Sequence, residues 1–156
     1  MKNLFVLLLS VLTFSAFAQV SDKEKAKDFG LSIIQKFYDG KCTDVYDYLS
    51  DVVVAFEGGM QVKKIMFNAE DLCEARIFNS ADNNTYTNYL ANYSPEIMDH
   101  TEFAKQFPNF WIKLEPGDFY FNGCNRTGKK ELFASGDMVR FIFRKTADGN
   151  FTIISN

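Results

Sequence analysis

One histidine, one tryptophan, three prolines and three cysteines in 156 residues exclude several function classes. His100 cannot build a metal site alone, and no Asp/Glu/Cys/His group with ligand spacing accompanies it, so no metal is expected. In "MDHTEF" it reads as a capping-region residue at a helix start. The chain lacks a P-loop, a dinucleotide fingerprint and a nucleophile elbow, so no cofactor is expected either. Seventeen Lys and Arg stand against twenty Asp and Glu. The longest basic runs, Lys63-Lys64 and Lys129-Lys130, are too short to track a phosphate backbone, which excludes nucleic acid as a partner. After residue 14 no long apolar run occurs, so no membrane contact is expected once the leading segment is removed. Three cysteines allow at most one internal bridge. The alternative is three small buried apolar side chains.

What is present begins with a leader. Lys2 gives a positive start, "LFVLLLSVLTF" is an apolar run, and "SAFA" has the small-x-small pattern cut by signal peptidases. Residues 1–18 therefore read as a signal peptide cleaved after Ala18. A single domain, 19–156, is then exported to a periplasm or secreted. Removing Lys2 leaves 16 basic against 20 acidic residues, a net charge of −4. That compartment permits disulfides. Cys42 and Cys73 both fall on predicted helices and are the first choice for a pair, with Cys124 left over.

Hydrophobic period divides the domain. Ala26, Phe29, Gly30, Ile33, Ile34 and Phe37 follow helical spacing over 22–38, with Ser21 and Glu24 placed for a capping box. "DGK" breaks this helix and a second runs over 42–50. "DVVVAF" reads as a strand, "GGM" as a turn and "QVKKIMF" as a returning strand. "NAEDLCEARIFN" reads as a third helix, with Asn68 as its cap. Residues 80–95 are polar and Tyr-rich. They form a loop or an insertion, and if helical they align Tyr86, Tyr89 and Tyr93 as one stripe, a pattern more typical of core packing than of a ligand platform. "DHTEFAKQF" reads as a short helix closed by Pro108. "FWIKLEP", "DFYFNG", "KELFAS", "MVRFIFRK" and "FTIIS" read as strands, with "ADGN" a hairpin signal. In 139–144, Val139, Phe141 and Phe143 face one way and Arg140, Ile142 and Arg144 the other. This order is α+β, with the helices covering the aromatic face of an antiparallel sheet.

The stretch "IIQKFYDGKCTDVYDYLSDVVVAFEGG", with the later "FYFNG" and "VRFIFRKTADGNFTIIS", resembles the nuclear transport factor 2-like superfamily, which includes ketosteroid isomerase, scytalone dehydratase and polyketide cyclases. The resemblance covers most of 22–156 except about 80–98. It implies a cystatin-like cone: three helices in the N-terminal half packed on a strongly curved antiparallel sheet, with a pocket at the open end. Phe56, Phe119, Phe121 and Phe141 are the lining that it implies. In the isomerase branch a general-base carboxylate lies near the end of the first strand, which places Glu57 at or next to that position. A carboxylate between apolar walls has its pKa raised by desolvation and can shuttle a proton near neutral pH. The isomerases set a first-helix tyrosine opposite the base. Ile33 occupies the equivalent stretch here, so Tyr38 is the substitute donor.

Three functions follow as expectations. The first is a non-catalytic binding or scaffold domain with a small apolar molecule in its pocket. The second is a small isomerase or dehydratase-like enzyme with Glu57 as base, against which stands Glu57 as a solvated strand end. The third is a homodimer through the sheet, with Arg140, Ile142 and Arg144 at the interface.

Overall fold

The computed structural model describes residues 20–54, 59–70, 85–123 and 139–155. Helix α1 spans Asp22–Tyr38. Ser21 caps it: its hydroxyl accepts from the Glu24 N–H while the Glu24 carboxylate accepts from the Ser21 N–H, closing the expected capping box. The helix stops at Asp39, and Gly40 takes the positive φ of 69° that follows, a conformation glycine adopts without steric cost. The second helix is a 3-10 helix over Cys42–Tyr48 rather than an α-helix. Its single buried residue, Val45, gives it little to hold a longer amphipathic face.

Six strands form one sheet: β1 (Leu49–Val54), β2 (Gln61–Lys63), β3 (Glu96–Asp99), β4 (Asp118–Asn122), β5 (Arg140–Lys145) and β6 (Phe151–Ser155), in the order β2-β1-β6-β5-β4-β3. The architecture is α+β. The sheet is mixed rather than antiparallel throughout: β1 runs parallel to β6, and the other neighbours are antiparallel. That parallel pair is possible because the whole rest of the domain serves as the crossover between β1 and β6. The returning strand expected over 61–67 is three residues long and passes into a 3-10 turn at Lys64–Met66. The third helix expected over 68–79 falls largely outside the described residues. So do "KELFAS" and the signal segment.

After residue 80 one open expectation is resolved and two elements differ from expectation. Residues 80–95, the least legible stretch, contain helix α2 (Tyr86–Asn92), capped by the Thr85 side chain. "EIMD" forms β3, followed by helix α3 (His100–Gln106), which Asp99 caps in a second capping box with Glu102. "FWIKLEP", expected as a strand, belongs to no sheet. Its Phe110, Ile112 and Leu114 alternate like a strand but pack on the sheet's outer face.

Strands β3, β4 and β5 are therefore buried on both sides. On the inner face α1 and α2 cover Val53, Phe119, Phe121, Phe141, Phe143 and Ile153. On the outer face Phe103 of α3 and the segment 107–115 cover Met98, Tyr120 and Ile142. Ile142 is fully buried and Arg140 is 8% exposed. Of the three residues expected at a homodimer interface, Ile142 and Arg140 thus lie under an intramolecular cover, while the Arg144 side chain stays 44% exposed.

Asp118 opens β4 at a buried site and is held by Arg144 of β5, its cross-strand partner. The guanidinium donates through Nε at 2.7 Å and Nη2 at 2.9 Å, and the Glu115 N–H donates at 2.9 Å. This contact holds the Arg144 pKa above its ordinary value. Arg144→Met strands a buried carboxylate. We expect a loss of about 3 kcal/mol in a denaturant titration, with Asp118→Asn in the same chain recovering part of it. Equal stability of Arg144→Met and the parent contradicts this role.

Candidate functional site

The strand directions place several chain ends together. β4 and β6 run parallel to β1, so the ends of β1, β4 and β6 and the starts of β2, β3 and β5 lie at one end of the sheet. α1 runs the same way. Its first turn is anchored at the opposite end by the Lys145–Asp22 ion pair and to α3 by Lys23–Glu102. Its last residue, Tyr38, reaches the end where β1 and β4 stop.

α2 brings three tyrosines to meet it. Spacings of three and four residues align Tyr86, Tyr89 and Tyr93 on one helix face. The Tyr38 ring lies 6.1 Å from that of Tyr86 and 5.9 Å from that of Tyr89. Tyr89 stacks on Tyr93 at 5.2 Å and on Tyr86 at 6.2 Å. The Tyr89 hydroxyl donates to the Gly123 carbonyl at 2.7 Å, tying α2 to the end of β4. Gly123 leaves room for this: a Cβ there would sit 3.2 Å from both the Tyr89 hydroxyl oxygen and the Phe121 ring. Phe121, fully buried on the same side of Gly123, stacks on Phe141 at 6.5 Å.

Two of the phenols, Tyr38 and Tyr86, are held neutral. Burial pushes the Tyr38 pKa up to about 12, and nearby Tyr93 adds to the rise. Burial also raises Tyr86, with a contribution from the Asp28 carboxylate. A phenol with a raised pKa is a poorer proton donor to a developing oxyanion than one made more acidic. Tyr89 and Tyr93 are packed in the core and the Tyr89 hydroxyl is committed to Gly123, so the surface the cluster presents is that of half-buried Tyr38 and Tyr86.

The other expected residues are distributed as follows. Glu57, Phe56 and Cys73 lie outside the described residues. Phe119, Phe121 and Phe141 are buried in the core on the α1 side of the sheet. Cys42 is disulfide-bonded. Its partner lies outside the described residues, and with three cysteines in the chain it is Cys73 or Cys124. His100 is the first residue of α3, half-buried, with its Nε2 3.3 Å from the Thr101 hydroxyl. Among the described residues no group of three His, Cys, Asp or Glu side chains is placed to hold a metal ion. No helix among them is long and apolar enough to cross a membrane.

The sequence revealed the tyrosine stripe but not its meeting with Tyr38. That meeting depends on α2 lying across the end of α1, a tertiary fact without a local signal. A concavity of about 440 Å³ lies between α1, β3 and α3, away from the tyrosines, and is lined by Lys23, Glu96, Glu102 and Lys105 among others. The Lys23–Glu102 ion pair links two of its walls.

The buried phenol gives a signature at high pH. Below pH 10 Tyr38 is protonated in both the folded and unfolded chain. Between about 10 and about 12 the unfolded chain releases the proton and the folded chain keeps it, so stability falls across that window. Tyrosinate absorbance should show late-titrating groups, and Tyr38→Phe should remove the one that titrates near 12. A Tyr38→Phe chain with an unchanged titration curve contradicts the burial.

Compared with protein-family models, curated proteins and solved structures, the chain matches none.

Proposed function

We propose that the chain is an exported, non-catalytic binding domain of nuclear transport factor 2-like shape, whose open end takes a small, largely apolar molecule. The observation that carries this reading is the half-buried aromatic pair Tyr38 and Tyr86, 6.1 Å apart at the end of α1 and backed by the core tyrosines Tyr89 and Tyr93, with the Tyr38 phenol held neutral up to about 12. Aromatic faces bury apolar area at low conformational cost. The disulfide at Cys42 suits an oxidising compartment and so supports export. The cone shape draws support from the register irregularities between β1 and β6 and between β5 and β6, since such irregularities bend a sheet. Phe119, Phe121 and Phe141 line the inner side of the proposed cone.

An anilinonaphthalene sulfonate probe tests the reading. Titrated into the mature protein, it should bind saturably at one site. Tyr86→Ala, checked for an unchanged melting profile, should weaken binding about tenfold, since loss of an aromatic platform costs about 1–2 kcal/mol. Glu57→Gln should leave it unchanged. Absence of saturable binding, or indifference to Tyr86→Ala, overturns the proposal. Loss of binding in Glu57→Gln moves the site to the carboxylate and favours the acid–base enzyme.

A further inference from the structure

Among the described residues the sheet ends in two edge strands, β2 and β3, and they are finished differently. Beside β3 stand charged side chains of α1 and α3, Lys23, Glu102 and Lys105, the kind of guard that discourages strand addition. The β2 edge is flanked by apolar groups instead. Met60 precedes the strand and is 65% exposed; Ile65 and Met66 follow it, 85% and 74% exposed. Val52, cross-strand partner of Lys63, and Trp111 add half-exposed apolar surface at the same corner. Trp111 is placed there by Gly59, whose φ of +68° turns the chain and whose missing Cβ would sit 3.1 Å from the indole ring. Exposed large apolar side chains gathered in one place mark an interaction site more often than scattered ones do.

We propose that this edge is the two-fold interface of a homodimer, in which β2 pairs antiparallel with β2 of a second copy. The register argues for a second copy over a foreign partner. A two-fold axis through Val62 sets Gln61 opposite the partner's Lys63, so no like charges meet across the new ladder. The same operation carries Met60 of each copy to the turn bearing Ile65 and Met66 of the other. Each apolar flank thus finds its complement, the self-matching that an isologous interface requires. Val62 faces the same side as Val53, its partner within the chain, so the inner core continues across the axis. Three residues of strand contribute few main-chain bonds, and the apolar flanks supply most of the affinity.

Sedimentation of the mature protein from about 1 to about 100 µM tests this, because a reversible dimer depends on concentration by mass action. A dimer is expected within that range. Ile65→Glu with Met66→Glu should raise the dissociation constant about a hundredfold or more while the melting profile of the monomer is retained. Lys105→Glu, at the other edge, should change nothing. If the double variant fails to fold, Met60→Glu gives the same readout from the opposite flank. A monomer at every concentration overturns the proposal, as does a dimer indifferent to these substitutions. Probe binding at the tyrosine cluster is expected to survive in the monomeric variant, so this interface and the ligand site fail independently.

Discussion

Helix α1 rests on the sheet at one glycine. Gly30 faces Phe121 so closely that a Cβ there would lie 2.4 Å from the ring. Glycine in the middle of a helix costs about 1 kcal/mol relative to alanine. Here that cost is offset by an approach no other residue permits, with the Phe121 ring seated against the helix backbone. Ala26, Ile33 and Ile34 are then fully buried one turn to either side. Phe29 meets Tyr48 at 5.1 Å and Phe143 at 4.9 Å, both edge to face. The height of α1 above the sheet also fixes where Tyr38 arrives, so the tyrosine cluster inherits its geometry from this contact.

The second constraint is that strands β3, β4 and β5 are covered on both faces. Alternation along β5 sends Phe141 and Phe143 to α1 and Ile142 to the outer cluster. The outer cover is assembled from α3, stopped at Pro108, and from the extended 107–115 segment. Phe103, Phe107 and Phe110 pack within 5.0–6.2 Å of one another. This cover uses the face otherwise open to a partner, leaving the β2 corner as the largest described group of exposed apolar side chains.

How far the sequence could be read follows from these burial patterns. α1 was legible because one face alone is buried and a capping box marks its start. β4, β5 and β6 were legible because β-branched and aromatic runs are punctuated by Pro116-Gly117 and by Asp148-Gly149. β3 was missed since Ile97 and Met98 are adjacent apolar residues, each buried in a different cluster, so neither period appears. "FWIKLEP" was misread since an extended segment lying on a sheet alternates as a strand does. The Tyr86, Tyr89 and Tyr93 stripe was visible as spacing, and it does pack on the core. Its conjunction with Tyr38 and Gly123 joins three distant parts of the chain, which local pattern does not encode. Glu57, on which the sequence reading centred, lies outside the described residues, so the ligand reading rests on the tyrosines instead.

The seating of Phe121 against Gly30 is tested most directly by a double-mutant cycle. Alanine in place of glycine stabilises an ordinary helix by about 1 kcal/mol. Gly30→Ala should instead destabilise the domain by about 1–3 kcal/mol, because the ring must move. Phe121→Leu should cost less in the Gly30→Ala background than in the parent, giving a coupling of about 1 kcal/mol or more. Stabilisation by Gly30→Ala, with additive effects of the two substitutions, would contradict the account.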